Sequence, residues 1–348
     1  MKKMKAAVLE SVQNWKFKDV DCPECGPHDF LLQTKASGIC VTDVLRSMKT
    51  GFYHYPIIPG HEFCGVVSEI GSQVTTLKRG DRAAVYPLIP CKACPPCLGE
   101  NYNLCQNYNF LGSRTHGGHA EYVLCPADNA VLIPENVTFE QAVLTEPMSV
   151  GLHAVKKAQI GHDTGTVVIM GIGPIGQMIA MWAKIFGAKK IIGFARNEYR
   201  LEIAKRLGMD DVMDTRLKEP VNYINDITLG AGADIVFECS GSNELQPQAI
   251  QIASRKGKVV ILGNPNHSLK LNKEVYDNML RREITIMSSW SSLIAPENEW
   301  AESLKYVAQG RIDPAQIITH SYHLSEVAGV MERMYFKKFD FFKVVFKM

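Results

Sequence analysis

The stretch TVVIMGIGPIGQMIAMWAKIFGA, residues 166–188, begins as a continuous apolar run and ends with Ile175, Ile179, Trp182 and Phe186 at helical spacing. The run reads as a buried parallel strand and the spacing as one face of a helix. Between them Gly171, Gly173 and Gly176 are spaced G-x-G-x-x-G. That spacing is weak alone, but a buried strand before it and a helix after it predict a dinucleotide-binding turn. Gly171 permits the tight turn, Gly173 lets a pyrophosphate approach the backbone, and Gly176 allows helix and strand to pack closely. Pro174 and Ile175 complete the turn, and the helix N-terminus offers free N–H groups and a partial positive charge to phosphates.

The pattern continues outward. KKIIGFA is a second strand, YRLEIAKRLG a second helix, and ADIVFECSG and GKVVILG further strands, ending near Ser240 and Gly263, which join the expected cofactor set. Strands alternating with helices imply a Rossmann doubly wound parallel sheet over 153–290. The first 152 residues differ. KAAVLE, FLLQTKASGI, FCGVVSEIG, DRAAVYP and AEYVLCP are short β-rich runs bounded by turn residues. The segment from 291 ends in FFKVVFKM, a strand that fits the sheet of either half. The fold class is α/β.

A ribose-binding acid is expected at the end of the second strand. Ala195 stands there instead, with Arg196 next and Arg200 one helical turn later. Without the carboxylate nothing repels a 2′-phosphate, and two guanidiniums can pair with one. NADP is therefore expected over NAD, with NAD still possible; a solvated helix start is the plainer reading of both arginines.

The chain has 348 residues, a net charge of +2, 46% apolar and 21% charged residues. No run of like charge suggests nucleic acid or a membrane surface as partner. No stretch approaches the ~18 apolar residues of a spanning helix, and a cytoplasmic protein is expected. In that compartment the ten cysteines are poor candidates for disulfides. Cys91, Cys94, Cys97 and Cys105, spaced C-x2-C-x2-C-x7-C, match a closed structural zinc site in a segment of about 90–110. A C-x-x-C redox pair explains only two of them. Cys22 and Cys25 form a lone C-x-x-C, and Cys64, Cys125 and Cys239 read as small core residues within strands.

Cys40, His61, Glu62 and Glu146 are scattered, and each has an ordinary reading: buried thiol, core histidine, helix-start carboxylate. Spacing alone does not join them. The motifs GICVTD, GHEFCGVV, GDRAAV, GGHAEY, the pair Glu146–Pro147, GIGPIG and the four-cysteine segment together resemble the zinc-dependent medium-chain alcohol and polyol dehydrogenases over essentially the whole length. YHYPIIPGHEF, NFLGSRTHGGHAEY, EPMSVGLHA, SSW and ENEW are most similar to the branch acting on polyol phosphates.

The resemblance implies a GroES-like catalytic domain formed by 1–152 and 291–348 around the Rossmann domain. It implies a catalytic zinc on Cys40, His61 and Glu146, with Glu62 able to enter or leave its coordination and Asp43 behind the histidine. Thr42, two residues after Cys40, is the expected acceptor of the hydroxyl proton, and because Leu45 stands where some relatives carry a relay histidine, water or Glu62 is expected to finish the proton route. Ser113, Arg114 and Trp290 are the substrate candidates, with Arg114 suited to a substrate phosphate. Two zincs per chain, a polyol or polyol phosphate substrate, and a homodimer or homotetramer follow as expectations. A dehydrogenase of a free polyol or diol, and a non-catalytic nucleotide-binding protein on the same scaffold, are the rival readings.

Overall fold

In a computed structural model that describes residues 2–265 and 268–348, the chain divides into two compact units: Met1–Ser149 with Ser292–Met348, and Val150–Ser291. The first division falls inside the helix Thr145–Ala158.

The central unit is built on six parallel strands. Numbered by position in this unit they lie in the order 3-2-1-4-5-6: Asp211–Asp214, Lys190–Ala195, Thr166–Met170, Ala233–Glu238, Ala253–Ile261 and Thr285–Ser288. This is the Rossmann order. Val168, Met170, Ile192, Phe194 and Val236 are all fully buried, as strands covered on both faces require. The order reverses between the first and fourth strands, where such sheets open a crevice for ligands.

The other unit carries a mixed seven-stranded sheet. Its path runs Ile318–His323, Lys343–Lys347, Asp29–Gly38, Glu62–Ile70, Arg82–Val85 and Ala130–Leu132, with Tyr122–Pro126 also paired to Asp29–Gly38. The C-terminal strand thus joins this sheet, with Val345 opposite Gly38. One face buries Phe30, Leu32, Phe63, Val67 and Val85. The expectation for Cys239 needs correction. It lies one residue beyond the strand Ala233–Glu238 and is half-buried, because the backbone there turns toward Ser240. No helix of the described residues is long and apolar enough to cross a membrane.

The unit Met1–Ser149 with Ser292–Met348 is tied internally by Trp300. Its ring is 1% exposed, meets Tyr86 edge-on at 5.5 Å and donates from Nε1 to Ser292 Oγ at 2.9 Å. The Tyr86 hydroxyl donates to the Ser292 carbonyl at 3.1 Å. Trp300→Ala removes a large buried ring and should cost about 3–5 kcal/mol. Chemical denaturation should show a clearly lower midpoint; an unchanged midpoint would mean that this joint carries no stability.

Candidate active site and metal centres

Cys40 caps the short helix Val41–Leu45, which turns Asp43 fully inward and leaves Thr42 exposed. His61 stands directly before the strand Glu62–Ile70. Because Gly38 is paired with Glu62 across the sheet, these chain-distant residues meet. The ligand atoms of Cys40, His61 and Glu62 lie within 4.8 Å of one another. Asp43 Oδ2 lies 3.0 Å from His61 Nδ1, which leaves Nε2 as the nitrogen available to a ligand. Burial opposes a charged His61 ring, but the Asp43 carboxylate outweighs it and holds its pKa well above the ordinary value. Thr42 Oγ1 donates to Cys40 Sγ at 3.0 Å.

Glu62 is 2% exposed and pairs with Lys343, also 2% exposed. Lys343 Nζ donates to the Ile39 carbonyl at 3.0 Å. This lysine escaped sequence reasoning because it stands in an apolar terminal strand; a lysine in such a strand was the available signal. Glu146 lies outside the 4.8 Å group. Burial pushes its carboxyl up to about 7, His61 opposes the rise and Glu62 adds to it.

A thiol, an imidazole and a carboxylate converging this closely fit a borderline-soft divalent ion in a catalytic setting. The second cluster fits a closed one. Cys91 Sγ and Cys97 Sγ are 4.0 Å apart, and Cys94 Sγ and Cys105 Sγ are 3.8 Å apart. These spacings are far beyond a disulfide bond of about 2.05 Å. They match the edge of a tetrahedron with zinc–sulfur bonds of ~2.3 Å, about 3.8 Å. Backbone N–H groups lower the Cys91 and Cys94 thiols toward thiolate, while burial raises Cys97.

The expected substrate residues fall in different places. Ser113 is buried. The Arg114 guanidinium sits between the rings of Tyr53 and Tyr108, 4.5 and 4.4 Å from their centroids. A series of ring contacts runs from there to His61: Tyr108 meets Phe110 at 6.3 Å, and Phe110 meets His61 at 5.7 Å. Trp290 is half-exposed and belongs to the unit Val150–Ser291.

In that unit Gly171 has φ +104°, and a Cβ there would come within 2.9 Å of Ser240 N. A Cβ at Gly176 would reach 2.3 Å from Gly171 O, so both glycines are required sterically. Gly173 is the N-cap of the helix Pro174–Ile185, with Pro174 and Ile175 in its first turn. A Cβ on Gly173 would lie 3.9 Å from Arg200 Nη1. Ser240 and Gly263 are organised by a residue that sequence reasoning missed. Glu238 is fully buried; its Oε1 accepts from Ser240 N at 2.8 Å and Gly241 N at 3.0 Å. Gly263 N donates to its carbonyl at 3.0 Å. Arg196 pairs with Glu244 at 2.9 Å.

Residues 26–135 match the alcohol dehydrogenase GroES-like domain and residues 174–309 the zinc-binding dehydrogenase domain. L-idonate 5-dehydrogenase of Vitis vinifera is 34% identical over 92% of this chain and 88% of its own. The chain belongs to the zinc-dependent medium-chain polyol dehydrogenases. Galactitol 1-phosphate 5-dehydrogenase of Escherichia coli strain K12 is 31% identical over 82% of this chain and 83% of its own. A solved structure from Sinorhizobium meliloti 1021, described as a zinc-binding dehydrogenase bound to NADP, has 32% identity, a TM-score of 0.91 and full coverage of both chains. As a medium-chain dehydrogenase the protein is an NAD(P)-dependent alcohol/polyol dehydrogenase.

Glu146 makes the stability of the fold sensitive to pH. Its folded pKa is about 7, above the ordinary value near 4.5. The folded chain therefore holds this proton more tightly than the unfolded chain, and stability falls as pH rises from about 4.5 through 7. In metal-free protein, Glu146→Gln should raise the melting temperature at pH 8 and leave it unchanged at pH 4. Equal melting temperatures at both pH values would remove Glu146 as a strained acid.

Proposed function

We propose that the protein interconverts a secondary alcohol and a ketone on a polyol or polyol phosphate, with NADP as the preferred cofactor and two zinc ions per chain. The convergence of the Cys40, His61 and Glu62 ligand atoms carries this reading. Cys40 and His61 would hold the catalytic ion with a carboxylate from Glu146 or Glu62, and the four cysteines of 91–105 the structural one. The catalytic ion would supply Lewis-acid polarisation of the substrate oxygen.

The chain's own residues do the rest. Asp43 fixes the tautomer and orientation of His61 through Nδ1. The Thr42 hydroxyl, exposed beside Cys40 Sγ, passes the substrate proton toward solvent, since Leu45 offers no titratable group. Lys343 pairs with Glu62 where both side chains are buried, offsetting the cost of burying the carboxylate. The unit Met1–Ser149 with Ser292–Met348 is the catalytic domain in this reading, and Val150–Ser291 carries the cofactor. Arg196 meets the 2′-phosphate, and the Arg200 guanidinium near Gly173 meets the dinucleotide turn.

The similarity to galactitol 1-phosphate 5-dehydrogenase supports a polyol phosphate, with Arg114 as its anchor and Ser113 and Trp290 as further substrate residues. A free polyol or diol is the second reading, favoured by the enclosure of the Arg114 guanidinium between two tyrosines. A homodimer or homotetramer is supported by the edge strand Thr285–Ser288, which pairs on one side only among the described residues and is mostly exposed. Ten free cysteines fit a cytoplasmic location.

Arg114→Ala should raise KM for a polyol phosphate about tenfold or more and leave KM for the free polyol unchanged; equal effects would favour the unphosphorylated substrate. Metal analysis should find two zincs per chain in the wild type. Cys94→Ser and His61→Ala should each lower the content to one, and loss of neither ion would contradict the assignment.

A further inference from the structure

The acid that a dinucleotide sheet places at the end of its second strand has not left this protein. It stands one strand over. Ala195 ends the second strand, and its register partner across the sheet is Asp214, the last residue of the third. The Asp214 side chain is 9% exposed. Left bare, it would accept ribose hydroxyls and repel a phosphate, as the missing acid would.

It is not bare. Arg216 Nε lies 2.9 Å from Asp214 Oδ2 and 3.0 Å from Oδ1, and the Arg216 backbone N–H donates to Oδ1 at 2.8 Å. Arg216 holds the Asp214 carboxyl below its ordinary pKa. The Arg216 side chain is 59% exposed, and Arg216 lines a cavity of about 170 Å³ with Arg196, Thr215, Lys218, Glu219 and Glu244. A water molecule takes about 30 Å³, so the space holds a group much larger than one water. Thr215 Oγ1 is buried and has no hydrogen-bond partner among the described residues, and Thr215 lines the same cavity. Glu244 occupies Arg196 at 2.9 Å, but the two side chains are 62% and 75% exposed, and exposed pairs of this kind are weak. A phosphate dianion that Arg196 can bind in bidentate fashion displaces such a partner readily. Lys218 is engaged by Asp226 at 2.6 Å.

We propose that Arg216 determines cofactor preference, masking Asp214 and joining Arg196 and Thr215 around the 2′-phosphate of NADP, with Glu244 as the built-in competitor for Arg196. This rests on the NADP reading above and identifies residues that reading did not contain. It also separates the two arginines of the sequence motif. Arg200 is not among the residues lining this cavity, and its guanidinium lies near Gly173 instead.

Calorimetric titration of the full chain with NADP+ and NAD+ tests it. Arg216→Gln should weaken NADP+ binding about 10- to 100-fold, the loss of one or two charge-assisted hydrogen bonds, and leave NAD+ binding unchanged or tighter. Adding Asp214→Asn to that variant should recover part of the NADP+ affinity; no recovery would overturn the masking role. Glu244→Gln, an exposed change that leaves the fold alone, should tighten NADP+ about threefold and spare NAD+; no change would overturn the competitor role. A wild type without preference for NADP+ would overturn the NADP reading itself. A wild type that prefers NADP+ and an Arg216→Gln variant that keeps the full preference would leave that reading standing and sink this one.

Discussion

The register that sets Gly38 opposite Glu62 is the constraint on which the convergence of Cys40, His61 and Glu62 depends. Cys40 stands just past the end of Asp29–Gly38, and His61 just before the start of Glu62–Ile70. Antiparallel pairing in this register therefore brings a thiol and an imidazole together without any contact between them in sequence. A slip of one residue would reverse the face of every side chain on one strand and separate the ligands. Gly38 protects the arrangement, since a Cβ there would fall 2.2 Å from Glu62 Oε2. On the other side of Asp29–Gly38 the C-terminal strand adds Lys343, whose charge makes burial of Glu62 tolerable. Segments far apart in the sequence thus meet at one carboxylate.

The unit Val150–Ser291 uses a different device. Its turn works by absence of side chains at Gly171 and Gly176, where backbone and neighbouring strand come too close for a Cβ. The loop after the fourth strand is shaped instead by a buried acid, Glu238, whose carboxylate collects the N–H groups of Ser240 and Gly241. A buried carboxylate is tolerated when several hydrogen bonds satisfy it. Charge beyond the ends of its second and third strands is handled by pairing, with Arg216 on Asp214 and Glu244 on Arg196.

Features encoded by short-range spacing were legible in the sequence. The glycine turn needs a strand before it and a helix after it, and both are visible as changes in apolar period. The four cysteines lie within one short segment, so their spacing alone pointed to a common metal. The group Cys40, His61 and Glu62 depends on strand register, which no local pattern reveals; only the family resemblance suggested joining residues so far apart in sequence. That resemblance placed Glu146 among the ligands, whereas the ligand atoms gathered within 4.8 Å are those of Cys40, His61 and Glu62. Asp214 and Arg216 were invisible because the rule for ribose acids looks along the second strand, and the pairing that brings in the third strand is a property of the sheet. Lys343 was hidden for the same reason, as only the tertiary fold sets a terminal strand beside Glu62. The enclosure of Arg114 by Tyr53 and Tyr108 likewise joins residues from separate loops.

Anomalous diffraction from a crystal of the as-purified protein, recorded on both sides of the zinc absorption edge, tests the central claim most directly. The account predicts one peak enclosed by the four sulfurs of 91–105 and a second bonded to Cys40 Sγ and His61 Nε2, with a carboxylate beside it. A peak among the four sulfurs alone, with Cys40 and His61 directed away from any scatterer, would contradict it.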